Sequence, residues 1–246
     1  MLATNTRIEL LKYERPSIGM KAEFYDLTRQ TYDSVSREFT KKNIGIADFI
    51  GDEIVRATSH VPRPCRAIDI GCGGGVYTAF MGVLGFHVLG IDISAAQIHL
   101  GASANLPHNV RFMHANALNV PLPPDSMDFI LINSMFHHII KDDRPAFLMR
   151  VKRALKDNGS ILLITRAHGE SYEALIKERK LGRMTQRYAA RSTVQELDDT
   201  FAQAGFSFEV LHSEPHSDDP DGVFRHYLLR KHHPDLIMAN TRGRNT

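Results

Sequence analysis

Only two cysteines occur in the 246 residues, which excludes a disulfide scaffold. Cys65 and Cys72 flank a predicted strand whose extended backbone would hold them beyond disulfide reach. Charge of one sign is equally scarce: Lys and Arg total 30 against 28 for Asp and Glu, a formal net charge of +2. So small a surplus lacks the long-range field of a nucleic-acid binder, and no nucleic-acid partner is expected. No apolar run approaches the length of a membrane span. The N-terminus carries Arg7, Glu9, Lys12, Glu14 and Arg15 where a secretory signal would be apolar, so a cytoplasmic location is the default. The 13 histidines are scattered without zinc-ligand spacing, no metal site is expected, and no internal repeat or low-complexity tract is apparent.

What is present is an ordinary globular composition, 43% hydrophobic and 24% charged, in a chain long enough for one α/β domain with terminal additions. Residues 1–60 combine charged and aromatic residues with apolar positions at helical spacing through Phe39, Ile44, Ile46, Phe49, Ile50 and Ile54, which predicts helices. From Arg66 onward, short apolar strands at 67–70, 87–91, 110–114, 129–133 and 160–165 alternate with amphipathic helices, the pattern of a parallel sheet with helical crossovers. Ser94 with Gln97 and Thr193 with Glu196 form capping boxes. Asp143-Arg144-Pro145 opens a helix with Phe147, Leu148, Val151, Ala154 and Leu155 on its apolar face, and Asn158-Gly159 is expected to close it. Beyond the fifth strand the sequence predicts a charged helix over 169–181, a second over 193–204, extended stretches at 206–211 and 223–229, and a fraying tail from Lys231.

The strongest signal is Ala67-Ile68-Asp69-Ile70-Gly71-Cys72-Gly73-Gly74-Gly75-Val76, a buried strand running into a glycine turn that opens a helix. About twenty residues on, Val88-Leu89-Gly90-Ile91-Asp92 ends in a carboxylate placed to reach the hydroxyls of a ribose held over the loop. A dinucleotide fingerprint is G-x-G-x-x-G/A, whose last position would fall on Val76, where a branched side chain obstructs close helix packing. The loop is instead G-x-G-x-G with Asp69 two residues before it. A carboxylate there repels a pyrophosphate and suits a ligand bearing an ammonium and a sulfonium.

These segments resemble motif I and the motif II acidic residue of class I S-adenosylmethionine (SAM)-dependent methyltransferases. Further along, Asp128-Phe129-Ile130-Leu131-Ile132-Asn133 resembles their motif IV, and Leu155-Lys156-Asp157-Asn158-Gly159-Ser160 their turn into the fifth strand. The resemblance implies an α/β fold: a Rossmann-like seven-stranded mixed sheet, the last strand antiparallel, flanked by helices, with an N-terminal helical lid. The corresponding division is 1–60 lid, 61–230 methyltransferase domain and 231–246 tail. Carried over position by position, Asp69 would help hold the methionine ammonium, and Gly71, Gly73 and Gly75 would line the backbone cradle. Asp92 would bind the ribose, Ile93 and Ala117 would sandwich the adenine, and Asn133 would hold the amino-acid end. Asn116 stands where the family commonly has an acidic residue, and its amide oxygen can still accept from the adenine amino group. Tyr32, and next Tyr25, resemble the lid tyrosine that closes over the methionine moiety, where an aromatic face attracts a sulfonium.

Methyl transfer needs positioning more than acid–base groups, so the lack of a catalytic triad is no objection. Where the acceptor arrives protonated, His137 and His138 are the candidate bases, although a His in this segment can equally anchor the loop. Tyr172 and His168 are candidates to face the acceptor, and the run Lys177-Glu178-Arg179-Lys180 reads as a solvated helix face. Nothing resembling Asn/Asp-Pro-Pro-Tyr follows the fourth strand, which argues against amino methylation of DNA adenine or protein glutamine and for a small-molecule substrate. Two alternatives keep the cofactor: a SAM-consuming cyclase of the azetidine-2-carboxylate synthase type, which releases methylthioadenosine, and a catalytically silent SAM-binding subunit. The Phe-, Tyr- and Ile-rich N-terminus can serve as a lid or as a homodimer face.

Overall fold

The computed structural model describes residues 9–13, 18–44, 47–216 and 219–232. In chain order the elements are β1 (Glu9–Tyr13), α1 (Ile18–Ser34), α2 (Ser36–Ile44), α3 (Ala47–Ala57), β2 (Cys65–Ile70), α4 (Val76–Val83), β3 (Phe86–Asp92), α5 (Ala95–Ala102), β4 (Val110–His114) and β5 (Met127–Asn133). Two 3-10 turns, Phe136–His138 and Lys141–Asp143, lead into α6 (Arg144–Ala154), β6 (Leu155–Ala167), β7 (Tyr172–Lys180), β8 (Arg183–Arg191), α7 (Val194–Gln203), β9 (Phe206–His216) and β10 (Asp219–Lys231).

Seven strands form the main sheet in the order β4-β3-β2-β5-β6-β10-β9. The first five are parallel, and β10 runs antiparallel between β6 and β9. This is the Rossmann-like arrangement expected from the resemblance. Both faces are buried, which is why β5 reads as an unbroken apolar run rather than an alternation. Ile130 and Ile132 point to one core with Ile68, Ile70 and Leu163, while Phe129 and Leu131 point to the other with Ala67, Leu162 and Ile164. Helix α3 joins the second core through Ile50, Ile54 and Ala57. Among the described residues no helix is long and apolar enough to cross a membrane. The tail expected to fray lies, from residue 233, outside the described residues.

Two expectations are corrected. Residues 169–181 are not a charged helix: β7 and β8 form an antiparallel hairpin, and β1 pairs with β7 to make a separate three-stranded sheet. The hairpin turns on Leu181 and Gly182, at φ 47° and 85°, a two-residue turn with both residues left-handed. Consecutive Glu173, Ala174, Leu175 and Ile176 are all buried, so tertiary cover overrides the helical preference of a charged, Leu- and Lys-containing segment. The second correction is smaller. Helix α6 stops at Ala154 rather than at Asn158-Gly159, and Leu155 already begins β6. Of the two capping boxes the N-cap halves stand, with Ser94 Oγ accepting from Gln97 N–H and Thr193 Oγ1 from Glu196 N–H, but the return arms are engaged elsewhere: Gln97 Oε1 accepts from Thr40 and Glu196 accepts from Lys141 and Ser171.

Helix α1 and the hairpin form one body. The Phe24 and Tyr188 rings stack at 5.3 Å, Thr31 Oγ1 donates to the Gln186 carbonyl at 2.7 Å, and Thr28 Oγ1 accepts from Tyr188 N–H at 3.3 Å. The cover over the sheet therefore combines N-terminal helices with an insertion after β6.

Candidate functional site

The parallel strands share one carboxyl edge, and the strand order reverses at β2, whose neighbours are β3 and β5. A ligand crevice belongs at such a switch point. The loop leaving β2 lines it, with Gly71, Gly73 and Gly75 at φ 75°, 54° and 78°. Left-handed backbone strains any residue with a Cβ, and at Gly71 an added Cβ would also stand 2.6 Å from Met135. In front of Gly73 there is room, since the nearest atoms to such a Cβ, from Gln97 and Phe39, lie 3.8 Å away.

Asp92 ends β3 beside this loop. Its Oδ2 accepts from Gly73 N–H at 2.8 Å and its Oδ1 from Ser94 N–H at 2.8 Å. Each oxygen keeps a lone pair that a diol can use. Burial raises the Asp92 pKa above the usual carboxylate value against the pull of those two N–H groups, and the nearby Asp33 charge adds to the rise. Asp69 is fully buried in β2, and its Oδ2 accepts from the Thr78 hydroxyl at 2.6 Å. Burial pushes its pKa up to about 7; the Thr78 bond opposes the shift and the charge of Asp92 reinforces it.

The β3–β4 register pairs Asp92 with His114, so the segments that follow leave the sheet side by side. Ile93 accepts through its carbonyl from His114 Nε2 at 3.0 Å, and the Ala117 carbonyl accepts from Arg150 at 3.1 Å. Asn116 spends one lone pair of its amide oxygen on Leu118 N–H at 3.0 Å, leaving the other. Asn133 closes β5, and its Oδ1 accepts from the Ser134 hydroxyl at 3.0 Å.

Tyr32 reaches this edge from α1. Its ring meets Phe39 edge-on at 5.2 Å and His138 at 5.5 Å, and its hydroxyl lies 2.9 Å from His138 Nε2. Tyr25, two turns earlier, is committed elsewhere: its hydroxyl donates to Asp143 at 2.8 Å and accepts from Ile140 N–H at 3.3 Å. His138 Nδ1 lies 2.8 Å from the Tyr188 carbonyl, and the His137 ring sits 4.2 Å from the His138 ring with its Nδ1 buried and unpartnered. Burial holds both imidazoles well below their usual pKa; His138 further disfavours protonation of His137, and Arg187, Lys180 and Arg166 add to the effect on both. Tyr172 does not join them. It lies at the open end of the hairpin, with Lys12 over its ring at 4.2 Å and Arg191 at 5.2 Å. Eight residues of strand, about 26 Å, separate it from Lys180 at the turn. His168 is buried, its backbone N–H donating to the Ser192 carbonyl at 2.8 Å.

Four residues enter the site that sequence reasoning did not assign to it. Asp33 Oδ1 accepts from Ser94 Oγ at 2.6 Å and Ala96 N–H at 3.1 Å, tying α1 to the start of α5. Phe39 lies over Gly73, Thr40 packs on Gly74 and donates to Gln97 Oε1 at 3.0 Å, and Lys180 lies over the Tyr32 ring at 4.9 Å. Phe39 had a signal, since it stands seven residues after Tyr32 and so on the same side of a helical segment. The others depend on partners far away in sequence.

Comparison with known proteins agrees with this geometry. The family described as "Methyltransferase domain" matches residues 68–163. An uncharacterised methyltransferase of Bacillus licheniformis is 26% identical over 191 residues, covering 72% of this chain and 85% of that protein. The mitochondrial ubiquinone biosynthesis O-methyltransferase of Bos taurus is 28% identical over 128 residues, 48% of this chain and 34% of that protein, so the chain spans about a third of its length. Among solved structures, the Burkholderia thailandensis 1,6-didemethyltoxoflavin-N1-methyltransferase, with bound 1,6-didemethyltoxoflavin and S-adenosylhomocysteine, superposes at a TM-score of 0.66. That match has 17% identity and covers 94% of this chain and 98% of the other. The residues present fit SAM as cofactor: there is open space before Gly73, spare acceptor capacity on Asp92, and two buried carboxyls, Asp69 and Asp92, whose ionisation a cationic ligand would favour. The glycine turn, the carboxylate beside it and the strand order belong to a Rossmann-like fold, and residues 68–163 of that fold are similar to the methyltransferase domain family.

Proposed function

We propose that the chain methylates a small-molecule acceptor by in-line displacement in the crevice between the glycine loop and the cover formed by α1, α2 and the β7–β8 hairpin. The observation that carries this reading is Phe39 lying over Gly73 with Tyr32 edge-on to its ring at 5.2 Å, aromatic cover beside the loop that suits a small molecule better than a polymer. The net charge of +2 gives no reason to invoke nucleic acid, and the two free thiols suit a reducing, cytoplasmic setting.

When bound, the cofactor supplies an activated methyl group on a sulfonium. The chain's residues position and enclose it. The left-handed loop of Gly71, Gly73 and Gly75 lets the backbone approach closely, Asp92 accepts from the ribose hydroxyls, and Asp69 places negative charge on the ammonium side. Ile93 and Ala117 flank the adenine, Asn116 and Asn133 offer amide groups at the two ends, and the Tyr32 ring shields the cation from water. His138 is an anchor rather than a base, because both ring nitrogens are occupied by Tyr32 and the Tyr188 carbonyl. His137, with one buried nitrogen unpartnered, is the histidine left to meet an acceptor proton. Tyr25 and Tyr172 brace the cover.

The test is mass spectrometry of nucleoside products after incubation with SAM, alone and with a small-molecule extract. S-adenosylhomocysteine formed only with extract supports the reading. Methylthioadenosine formed without an acceptor, above the spontaneous background, replaces it with a cyclase, and neither product points to a silent subunit.

A further inference from the structure

The run Lys177-Glu178-Arg179-Lys180 lies on a strand, so its side chains alternate between faces instead of following a helix. Lys177 and Arg179 are exposed, whereas Glu178 and Lys180 share the other face with Arg187 of β8. Glu178 is committed to Arg187, its Oε1 accepting from Nε at 3.1 Å and Nη2 at 3.0 Å. Lys180 has no carboxylate within ion-pairing distance among the described residues. Its ammonium instead lies 4.9 Å from the Tyr32 ring centre and 5.5 Å from that of Phe39. Burial lowers its pKa and the charge of Arg187 adds to the fall, while Tyr32 and, more weakly, the charge of Glu178 oppose it.

An ammonium drawn out of water without a direct ion pair is costly, and aromatic faces return only part of its hydration. Its position gives that cost a use. Phe39 touches the space before Gly73, and Tyr32 bonds His138, so the ammonium hangs beside the end of the crevice where methyl transfer takes place. Close by are the unpartnered Nδ1 of His137 and the Arg187–Glu178 pair. The surroundings of the uncharged imidazoles are cationic: Arg166, Lys180 and Arg187 all act against their protonation.

We propose that the acceptor is an organic carboxylate and that Lys180 is the residue that selects it, pairing with the carboxylate when the acceptor enters beside Tyr32 and Phe39. This rests on the methyltransferase reading above. The carboxylate supplies the direct ion pair that Lys180 lacks, since Glu178 is engaged by Arg187, which holds the strand face that presents it.

The experiment divides one small-molecule extract near neutral pH on a strong anion exchanger and incubates each fraction with the full chain and SAM. The larger yield of S-adenosylhomocysteine is expected from the retained, anionic fraction. A larger yield from the flow-through overturns the assignment and leaves the methyltransferase reading intact. If neither fraction yields it, the methyltransferase reading is what fails. A second measurement does not depend on turnover: calorimetric titration of the chain carrying S-adenosylhomocysteine with benzoate and with its neutral isostere benzamide. Benzoate should bind more tightly by about tenfold or more, as for a charged hydrogen bond, with the preference lost in Lys180→Met and restored in Lys180→Arg. Equal affinities, no benzoate binding, or a preference that survives in Lys180→Met overturns the proposal. If S-adenosylhomocysteine itself fails to bind, the function reading falls and the inference with it.

Discussion

The Tyr32 hydroxyl and His138 Nε2 lie 2.9 Å apart, and the other side of the ring fixes which of them donates. The Tyr188 carbonyl, 2.8 Å from Nδ1, can only accept, so in the neutral imidazole Nδ1 carries the proton and Nε2 accepts from Tyr32. One side chain thus joins α1, the 3-10 turn after β5 and strand β8.

His138→Ala should cost about 1–3 kcal/mol of stability through the unpaired Tyr188 carbonyl, read as a fall in thermal midpoint. The pH dependence has a definite sign. His138 is held below its ordinary 6.5, so its native contribution is complete above that value and is lost as pH falls below it toward the folded pKa. Unfolding midpoints followed from neutral pH downward should show an acid decline that is shallower in His138→Ala. An unchanged decline would show that His138 titrates normally.

Asp33 is the second tie between cover and sheet. It accepts from Ser94 Oγ and Ala96 N–H at the start of α5, and Arg29 holds its other oxygen at 2.9 Å. Asp33→Ala should cost about 1 kcal/mol as a lost helix-start cap. Because α1 carries Tyr32, dissociation of S-adenosylhomocysteine should also quicken, as followed by stopped flow. Loss of stability with unchanged dissociation would make Asp33 a cap with no part in closure.

Gly71 is constrained twice, by its φ of 75° and by Met135 at 2.6 Å from an added Cβ. Gly71→Ala should cost about 1–2 kcal/mol for the left-handed backbone and about 1–3 more for the overlap. Because Met135 Cβ and Cγ both stand at 2.6 Å, Met135→Gly in the same chain should return the second part and not the first, with Met135→Gly alone as the reference. Full recovery of the melting temperature in the double variant would mean the backbone strain is negligible.

The parallel sheet and the glycine loop with its carboxylate were legible because they are written locally. The loop from Gly71 to Gly75 and the carboxylate of Asp92 sit in consecutive strand-turn-helix units, and buried parallel strands such as 129–133 announce themselves as apolar runs. The cover was half legible. Tyr32 could be singled out as an aromatic on a lid helix, but Asp33 is defined by Ser94, 61 residues away. The β7–β8 hairpin was misread because its turn, Leu181-Gly182, lacks the usual Asn-Gly or Asp-Gly signature, and its charged residues pass for a helix until β1 and β8 pair on either side. That misreading hid Lys180, whose inward placement follows only from the two-residue period of a strand. It also misplaced Tyr172, which a helix would have carried toward the site and which the strand holds at the far end.

Asp69 should couple cofactor binding to pH. With its pKa raised to about 7 from 3.8, its contribution to stability is present below the unfolded value and is lost as pH rises through about 7, where a buried charge appears. A ligand carrying an ammonium and a sulfonium reverses the preference, favouring the ionised carboxyl and lowering its pKa. SAM affinity should therefore rise with pH below about 7, by up to about tenfold per unit for one coupled proton, and level off above it. Asp69→Asn keeps an oxygen to accept from Thr78 and removes the titration. That variant should gain stability relative to the parent above neutral pH, bind SAM more weakly there, and show a much flatter affinity profile. Calorimetry of both proteins across pH 5.5 to 8.5 separates this group from the ligand's own amine, which titrates identically in the two series. Parallel profiles would place the coupled proton elsewhere, with Asp92, also raised by burial, the next group to test by the same substitution.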